Sequence, residues 1–232
     1  MIEEGNKNLE ETTFSFDKLT NILFEVEKDM ENFMIEELLQ GLEEISKLTS
    51  ILGEYMNIVK IDIQKKITRI TLSMRDYHKE TKQLQSLIDT ELSLGLTELN
   101  GFNNSSKGFN KDSKFHKYSS ISRNVLRIIR ILDFINQIIR NILLSEDDIY
   151  NCILNSYEKT VGKYHTPLKR SISFMIFSLI PKKKSYLVRI LLDRDEWDED
   201  SKEKLGLLSK LIESIWRYLY NYFDARNLLT LP

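Results

Sequence analysis

The chain has 232 residues, 41% hydrophobic and 29% charged, which suffices for one sizeable core and is short for two. Lys and Arg total 33 against 35 Asp and Glu, a formal net charge of -2, which excludes a protein whose whole surface binds nucleic acid electrostatically. Only 8 Gly and 3 Pro occur, too few for the turns of an all-β fold, so the long Leu/Ile/Lys/Glu stretches point to helices.

In chain order, residues 1–13 are polar and are expected to form a flexible tail before one domain spanning residues 14–232. Apolar periodicity predicts a helix over 14–30 and a very long one over 35–75, kinked near Gly41 or Gly53. A third spans 80–99. The polar stretch 100–120 is a loop, and a fourth helix runs over 120–144. Ser145, with Asp147 and Asp148 behind it, is read as the N-cap of a fifth helix over 146–163. Thr166 with Pro167 at the first helical position opens a sixth, which Pro181 ends. A short helix over 183–192 follows. Asp200 with Glu203 resembles a capping box opening a last helix over 201–225. The expected fold is all-α, about eight helices packed as a globule.

The lone Cys152 has no internal disulfide partner, which suits a reducing compartment. The acidic start Met1-Ile2-Glu3-Glu4 does not read as a signal peptide, and the longest apolar runs are too short to cross a bilayer. A cytoplasmic protein, peripheral to membranes, is expected. Phosphate-binding glycine loops and the nucleophile elbow are absent, and three His with one Cys do not assemble a zinc cluster. The acidic run 193–200 lacks the spacing of a calcium loop. No catalytic residue, metal, cofactor or nucleic-acid partner is expected, and nothing argues for an enzyme.

Chemistry concentrates where charge lies on apolar faces. On the fourth helix Arg123, Arg127 and Arg130 fall within an arc of roughly 60°, and Phe134 and Ile138 continue nearly the same line. A face that passes from cationic to apolar matches a molecule with an anionic head and a greasy tail. It also matches a solvent stripe with snorkelling aliphatic stems. On the second helix Asp62 and Lys66 stand four apart on one face, placed by the helical wheel with Ile51, Tyr55, Ile58 and Val59. Most such pairs only decorate a surface. His165, in Tyr164-His165-Thr166-Pro167, sits at a helix junction, where a capping role is equally ordinary. In the loop, Lys107, Lys111, Lys114 and Lys117 alternate with Phe109, Phe115 and Tyr118, a pattern suited to docking on an anionic membrane or to a plain polar linker.

Taken in order, these residues resemble the glycolipid transfer protein superfamily over nearly the whole chain from Phe14. The likeness rests on Asp62 and Lys66, Glu91-Leu92, Arg123 to Arg127, Ser156-Tyr157 followed by Tyr164-His165, the boundary Leu179 to Pro181, and the ending Leu228-Leu229-Thr230-Leu231-Pro232. The resemblance implies a two-layer sandwich of helices around a single lipid. It implies that Asp62 takes a sphingoid amide N–H and that His165 donates to an acyl carbonyl. The glycolipid branch places a Trp on the fourth helix as a platform for sugar. Here the only Trp are Trp197 and Trp216, and Arg123 and Arg127 stand on that helix. This is similar to the ceramide 1-phosphate branch, in which Lys66, Arg123 and Arg127 would hold the phosphate. The expected function is therefore passive transfer of ceramide 1-phosphate, or a related phosphosphingolipid, between membranes by a monomer in transient membrane contact. A lipid sensor, or a helical protein-interaction module of the same fold, is the alternative.

Overall fold

The computed structural model describes residues 13–51, 54–101, 104 and 113–232, with the side chain of Tyr55 outside that description. The tail expected over residues 1–13 falls outside it except for Thr13. Nine α-helices occur among the described residues: α1 Phe16–Lys28, α2 Ile35–Ile51, α3 Asn57–Tyr77, α4 Leu84–Ser93, α5 Ile121–Leu144, α6 Ile149–Lys159, α7 Pro167–Ser178, α8 Lys184–Leu192 and α9 Glu199–Asp224. Short 3-10 turns join them at Met30–Asn32, Glu54–Met56 and Val161–Tyr164. No strand occurs among the described residues beyond two isolated bridges, Met34 with Gln83 and Asn100 with Ser119.

The ninth helix comes from the stretch read as one long helix over 35–75. It is two, α2 and α3, with the 3-10 turn Glu54–Met56 before α3. Gly41 lies inside α2, where a Cβ would stand 3.8 Å from the Ile22 and Leu23 side chains. Three boundaries also differ from the sequence reading. Helix α4 is shorter than 80–99, because Leu94 caps it and Gly95 turns the chain at φ 64. Asp148, not Ser145, caps α6, accepting from Asn151 N at 2.9 Å, while Ser145 closes α5. Asp198, not Asp200, caps α9, accepting from Ser201 N at 2.8 Å. In the last two cases the cap is the aspartate with extended backbone angles, the conformation that aims a side-chain oxygen at the free N–H groups. The Thr166 cap with Pro167 stands as read.

Helix α5 is the spine. It packs against α9 on one side and against α3, α4 and α6 on others, while α1 packs on α2 and α9, and α2 on α3. The main core joins Leu19, Leu23 and Val26 of α1, Leu38 and Leu42 of α2, Ile63 and Ile70 of α3, Ile128 and Leu132 of α5, and Leu208, Ile212 and Leu219 of α9. A second, separate apolar cluster lies under α6, α7 and α8. It holds Ile149, Ile153, Tyr157, Ile176, Phe177 and Ile180, with Phe134 and Ile138 of α5 against it. Phe177 sits 5.2 Å from Tyr157 and 6.2 Å from Phe134, ring centre to ring centre. Thus the line of α5 that begins with arginines ends in this second cluster. No helix among the described residues is long and apolar enough to cross a membrane.

Candidate functional site

The first turn of α5 is fixed by a buried carboxylate. Glu91 of α4 is fully buried and accepts from Tyr118 Oη at 2.6 Å, Ile121 N at 2.5 Å, Ser122 N at 2.7 Å, Ser120 Oγ at 3.2 Å and Ser122 Oγ. Burial pushes its carboxyl up, and the bonds from Ser122, Tyr118 and the two backbone N–H groups oppose that rise. Ser120 Oγ also accepts from Arg123 N at 2.9 Å. The free N–H groups of α5 are thereby satisfied, and the register of the arginines that follow is set.

The α3 pair is asymmetric. The Lys66 side chain is only 7% exposed, whereas that of Asp62 is 65% exposed, and the two form a short hydrogen-bonded ion pair. Lys66 Nζ also donates to the Asp62 carbonyl at 3.2 Å. The wheel placement is corrected here. Ile58 is exposed, Ile51 belongs to α2, and the inward side of α3 is Ile63, Lys66, Ile70, Ser73 and Met74. Gln64 on the far side donates to Ser46 Oγ of α2 at 3.2 Å. The reason is the break between α2 and α3, which resets the helical phase.

Arg127 of α5 acts electrostatically on this pair, and Arg123 stands one turn before it; both are partly buried. Lys66 titrates below the usual lysine range. Burial is the main cause, Asp62 opposes it, and the positive charges of Arg127 and Arg69 add to it. Arg127 is lowered by burial and then by Arg69, with Asp62 opposing. Arg123 is lowered by burial, Arg127 and Arg69, with Glu98 opposing. His165 is lowered by burial and Lys169, and it senses both Asp62 and Lys66. Its Nδ1 lies 2.8 Å from the hydroxyl of Tyr157. Electrostatics group Asp62, Lys66, Arg127 and His165, and Arg123 reaches that group only through Arg127 and Arg69. Arg127 has neither a hydrogen bond nor an ion pair among the described residues.

Arg69 was missed by sequence reasoning. It stands three residues after Lys66, and that spacing alone would have placed it on the same face. Arg130 belongs to the same line but is engaged differently. Its guanidinium stacks 3.7 Å from the ring centre of Tyr164 and donates to Leu229 O at 3.3 Å.

The described loop residues do not join the site. Lys107, Lys111 and Phe109 lie outside the described residues. Lys114 and Lys117 are exposed, but Phe115 and Tyr118 are not free aromatic tips. Phe115 packs 5.7 Å from both Tyr77 and Tyr118, and Tyr118 is fully buried with its hydroxyl 2.7 Å from His78 Nε2. This cluster sits at the C-terminal end of α3, about 22 Å along the helix from Asp62 at 1.5 Å per residue.

Several cations stand around one exposed carboxylate, and the apolar cluster of α6 and α7 lies along the same helix. The arrangement suits an amphiphile with an anionic head. Residues 33–191 match the family described as Glycolipid transfer protein (GLTP), and the chain belongs to that family, one of lipid transfer proteins. It is 25% identical to glycolipid transfer protein 1 of Arabidopsis thaliana over 164 residues, 70% of this chain and 72% of the relative. It is 22% identical to the ceramide-1-phosphate transfer protein of Mus musculus over 209 residues, 88% of this chain and 90% of the relative. Human ceramide-1-phosphate transfer protein in complex with 12:0 ceramide-1-phosphate superposes with a TM-score of 0.74 at 17% identity, over 93% of this chain and 99% of that one. At that identity the likeness establishes the fold.

Proposed function

We propose that the protein carries ceramide 1-phosphate or a closely related phosphosphingolipid between membranes, without catalysis. The observation that carries this reading is Arg127, a half-buried guanidinium without a hydrogen bond or ion pair among the described residues, with the positive charges of Lys66, Arg69 and Arg123 near it. Uncompensated cations out of water are costly unless an anion joins them. A phosphate monoester supplies that anion, and each charge-assisted hydrogen bond to it is worth about 1.5–3 kcal/mol. A neutral sugar head would bring no anion to Arg127. Asp62, the exposed carboxylate, accepts the sphingoid amide N–H, and His165 donates to the acyl carbonyl.

The lipid chains enter the second apolar cluster by parting Phe134, Phe174 and Phe177 from Tyr157. Each CH₂ withdrawn from water is worth about 0.8 kcal/mol, so an unaided two-chain lipid leaves a bilayer very slowly and a carrier lowers that barrier. Membrane contact fits the outward face of α7. Leu168, 72% exposed, Met175, 61% exposed, and Leu179 share that face, which starts beside His165 and carries Lys169 nearby. Lys114 and Lys117 then serve as a second, purely electrostatic contact, together with Lys107 and Lys111. On this reading residues 14–232 act as one transfer domain and the working species is a monomer. Organic extraction of the purified protein followed by mass spectrometry tests it. A co-purified phosphosphingolipid supports the carrier. A lipid-free protein that stays lipid-free after incubation with ceramide 1-phosphate vesicles contradicts it.

A further inference from the structure

Helix α9 does not simply stop. Leu228 N donates back to Phe223 O at 2.9 Å, and Asn227 takes φ 56, the left-handed turn that reverses the chain. Arg226 roots the turn. Its Nε donates to Asp89 Oδ1 at 2.7 Å and its Nη2 to Oδ2 at 3.3 Å, and the guanidinium lies 3.6 Å from the ring centre of Tyr222. Leu228 then enters the core. Beyond it the chain runs back along α5. Leu229 O accepts from Arg130 Nη2 at 3.3 Å, and Pro232 O accepts from Arg123 Nε at 2.5 Å. Glu98 O takes a further bond from Arg123 Nη1 at 3.3 Å.

Two of the three arginines on the line are therefore held by main-chain oxygens of one segment, and Arg127 between them is not. A guanidinium has five N–H donors in a rigid plane. The bonds to Pro232 and Glu98 use donors on Nε and Nη1 and leave those on Nη2, so Arg123 is oriented without being saturated. A long side chain held in this way has already lost much of the rotamer freedom that ligand binding would otherwise remove.

We propose that residues 228–232 form a positioning strap that pre-orients the Arg123 guanidinium for the lipid phosphate. The inference rests on the phosphate-site reading above. The strap acts through Arg123 and need not touch the lipid, which gives it a signature that simple structural support lacks.

The test is a double-mutant cycle: the full chain, the chain without residues 230–232, Arg123→Leu, and the two changes together. Transfer of ceramide 1-phosphate between vesicles and thermal melting are read on all four. Removing 230–232 leaves Leu228 and Leu229 in place and is expected to slow transfer roughly three- to tenfold, the range for releasing one ordered side chain. In the Arg123→Leu background the same removal is expected to change nothing further. If the shortened chain melts early, lost folding lowers both backgrounds by the same factor, and only the difference between them counts. Equal or faster transfer by the shortened chain, or losses that multiply across the two backgrounds, would overturn the strap. If Arg123→Leu alone leaves transfer unchanged, the phosphate site itself is wrong, an outcome distinct from failure of the strap.

Discussion

The hydroxyl of Tyr157 lies 2.8 Å from Nδ1 of His165, and on the proposed function this contact sets which ring nitrogen is left for the lipid. With the phenol donating, Nδ1 accepts and the ring proton sits on Nε2, free to donate to an acyl carbonyl. Tyr157→Phe removes that bias while keeping the ring that packs on Phe174 and Phe177. Melting is expected to change little, and ceramide 1-phosphate transfer to fall about three- to tenfold, the value of one modest hydrogen bond. Full transfer by the Phe variant would show that Tyr157 is packing only.

The Asp62–Lys66 pair gives a stability test with a sign. Asp62→Val leaves the buried Lys66 ammonium without its carboxylate and is expected to destabilise the protein by roughly 1–3 kcal/mol. Adding Lys66→Met removes the orphaned charge and should restore the melting temperature, because a pair replaced together by apolar groups is nearly neutral. Neither form should bind ceramide 1-phosphate. If the double variant melts as early as Asp62→Val, the ion pair is not the source of the loss.

Arg127→Leu separates function from stability. The lipid-free protein should melt higher, since a half-buried cation crowded by Arg69 and Lys66 is gone. Affinity for ceramide 1-phosphate should fall at least about tenfold. Arg130→Leu should do the reverse and matter more to stability, because Arg130 is stacked on Tyr164 and bonded to Leu229 O. Melting curves and a binding titration on both variants check this. A lower melting temperature for Arg127→Leu would mean that Arg127 is structural.

The family resemblance singled out five candidate head-group residues because each lies at a fixed offset on a helix or beside a cap, and such offsets survive folding. Periodicity likewise found α1, α5 and the Thr166–Pro167 start of α7. The α2–α3 break falls between Ile51 and Glu54, where a kink near Gly53 was expected, but the phase shift across it was not legible, because both halves carry the same apolar rhythm. The tilt of the pair, with Lys66 inward and Asp62 outward, was hidden for the same reason. Phe115 and Tyr118 looked like interfacial aromatics beside lysines. Only the fold shows Tyr118 closing over Glu91 and His78. The return of residues 228–232 onto Arg123 was beyond any local pattern, since the partners are 109 residues apart.

Stability should fall in acid through two histidines. Burial lowers His165, with Lys169 adding, and burial lowers His78, with Lys114 adding. The unfolded chain then takes up these protons first as pH drops. Stability from the neutral rings is full above the ordinary histidine value of about 6.5 and is lost below it, down through the lowered values. Glu91, raised by burial, works in the opposite direction, so the comparison with a variant is what matters. His78→Gln, which can still bond Tyr118, should flatten the fall in melting temperature between about pH 7.5 and 5.5. An unchanged slope would remove His78 from the account.

The most direct test of the central claim is vesicle-to-vesicle transfer across head groups at fixed acyl chains. Ceramide 1-phosphate, galactosylceramide and phosphatidic acid are compared on the same protein. The cationic cluster predicts fast transfer of ceramide 1-phosphate and little of galactosylceramide. It predicts intermediate transfer of phosphatidic acid, which offers the phosphate without the amide that Asp62 and His165 read. Galactosylceramide moving as fast as ceramide 1-phosphate would contradict the assignment of Lys66, Arg123 and Arg127 to a phosphate.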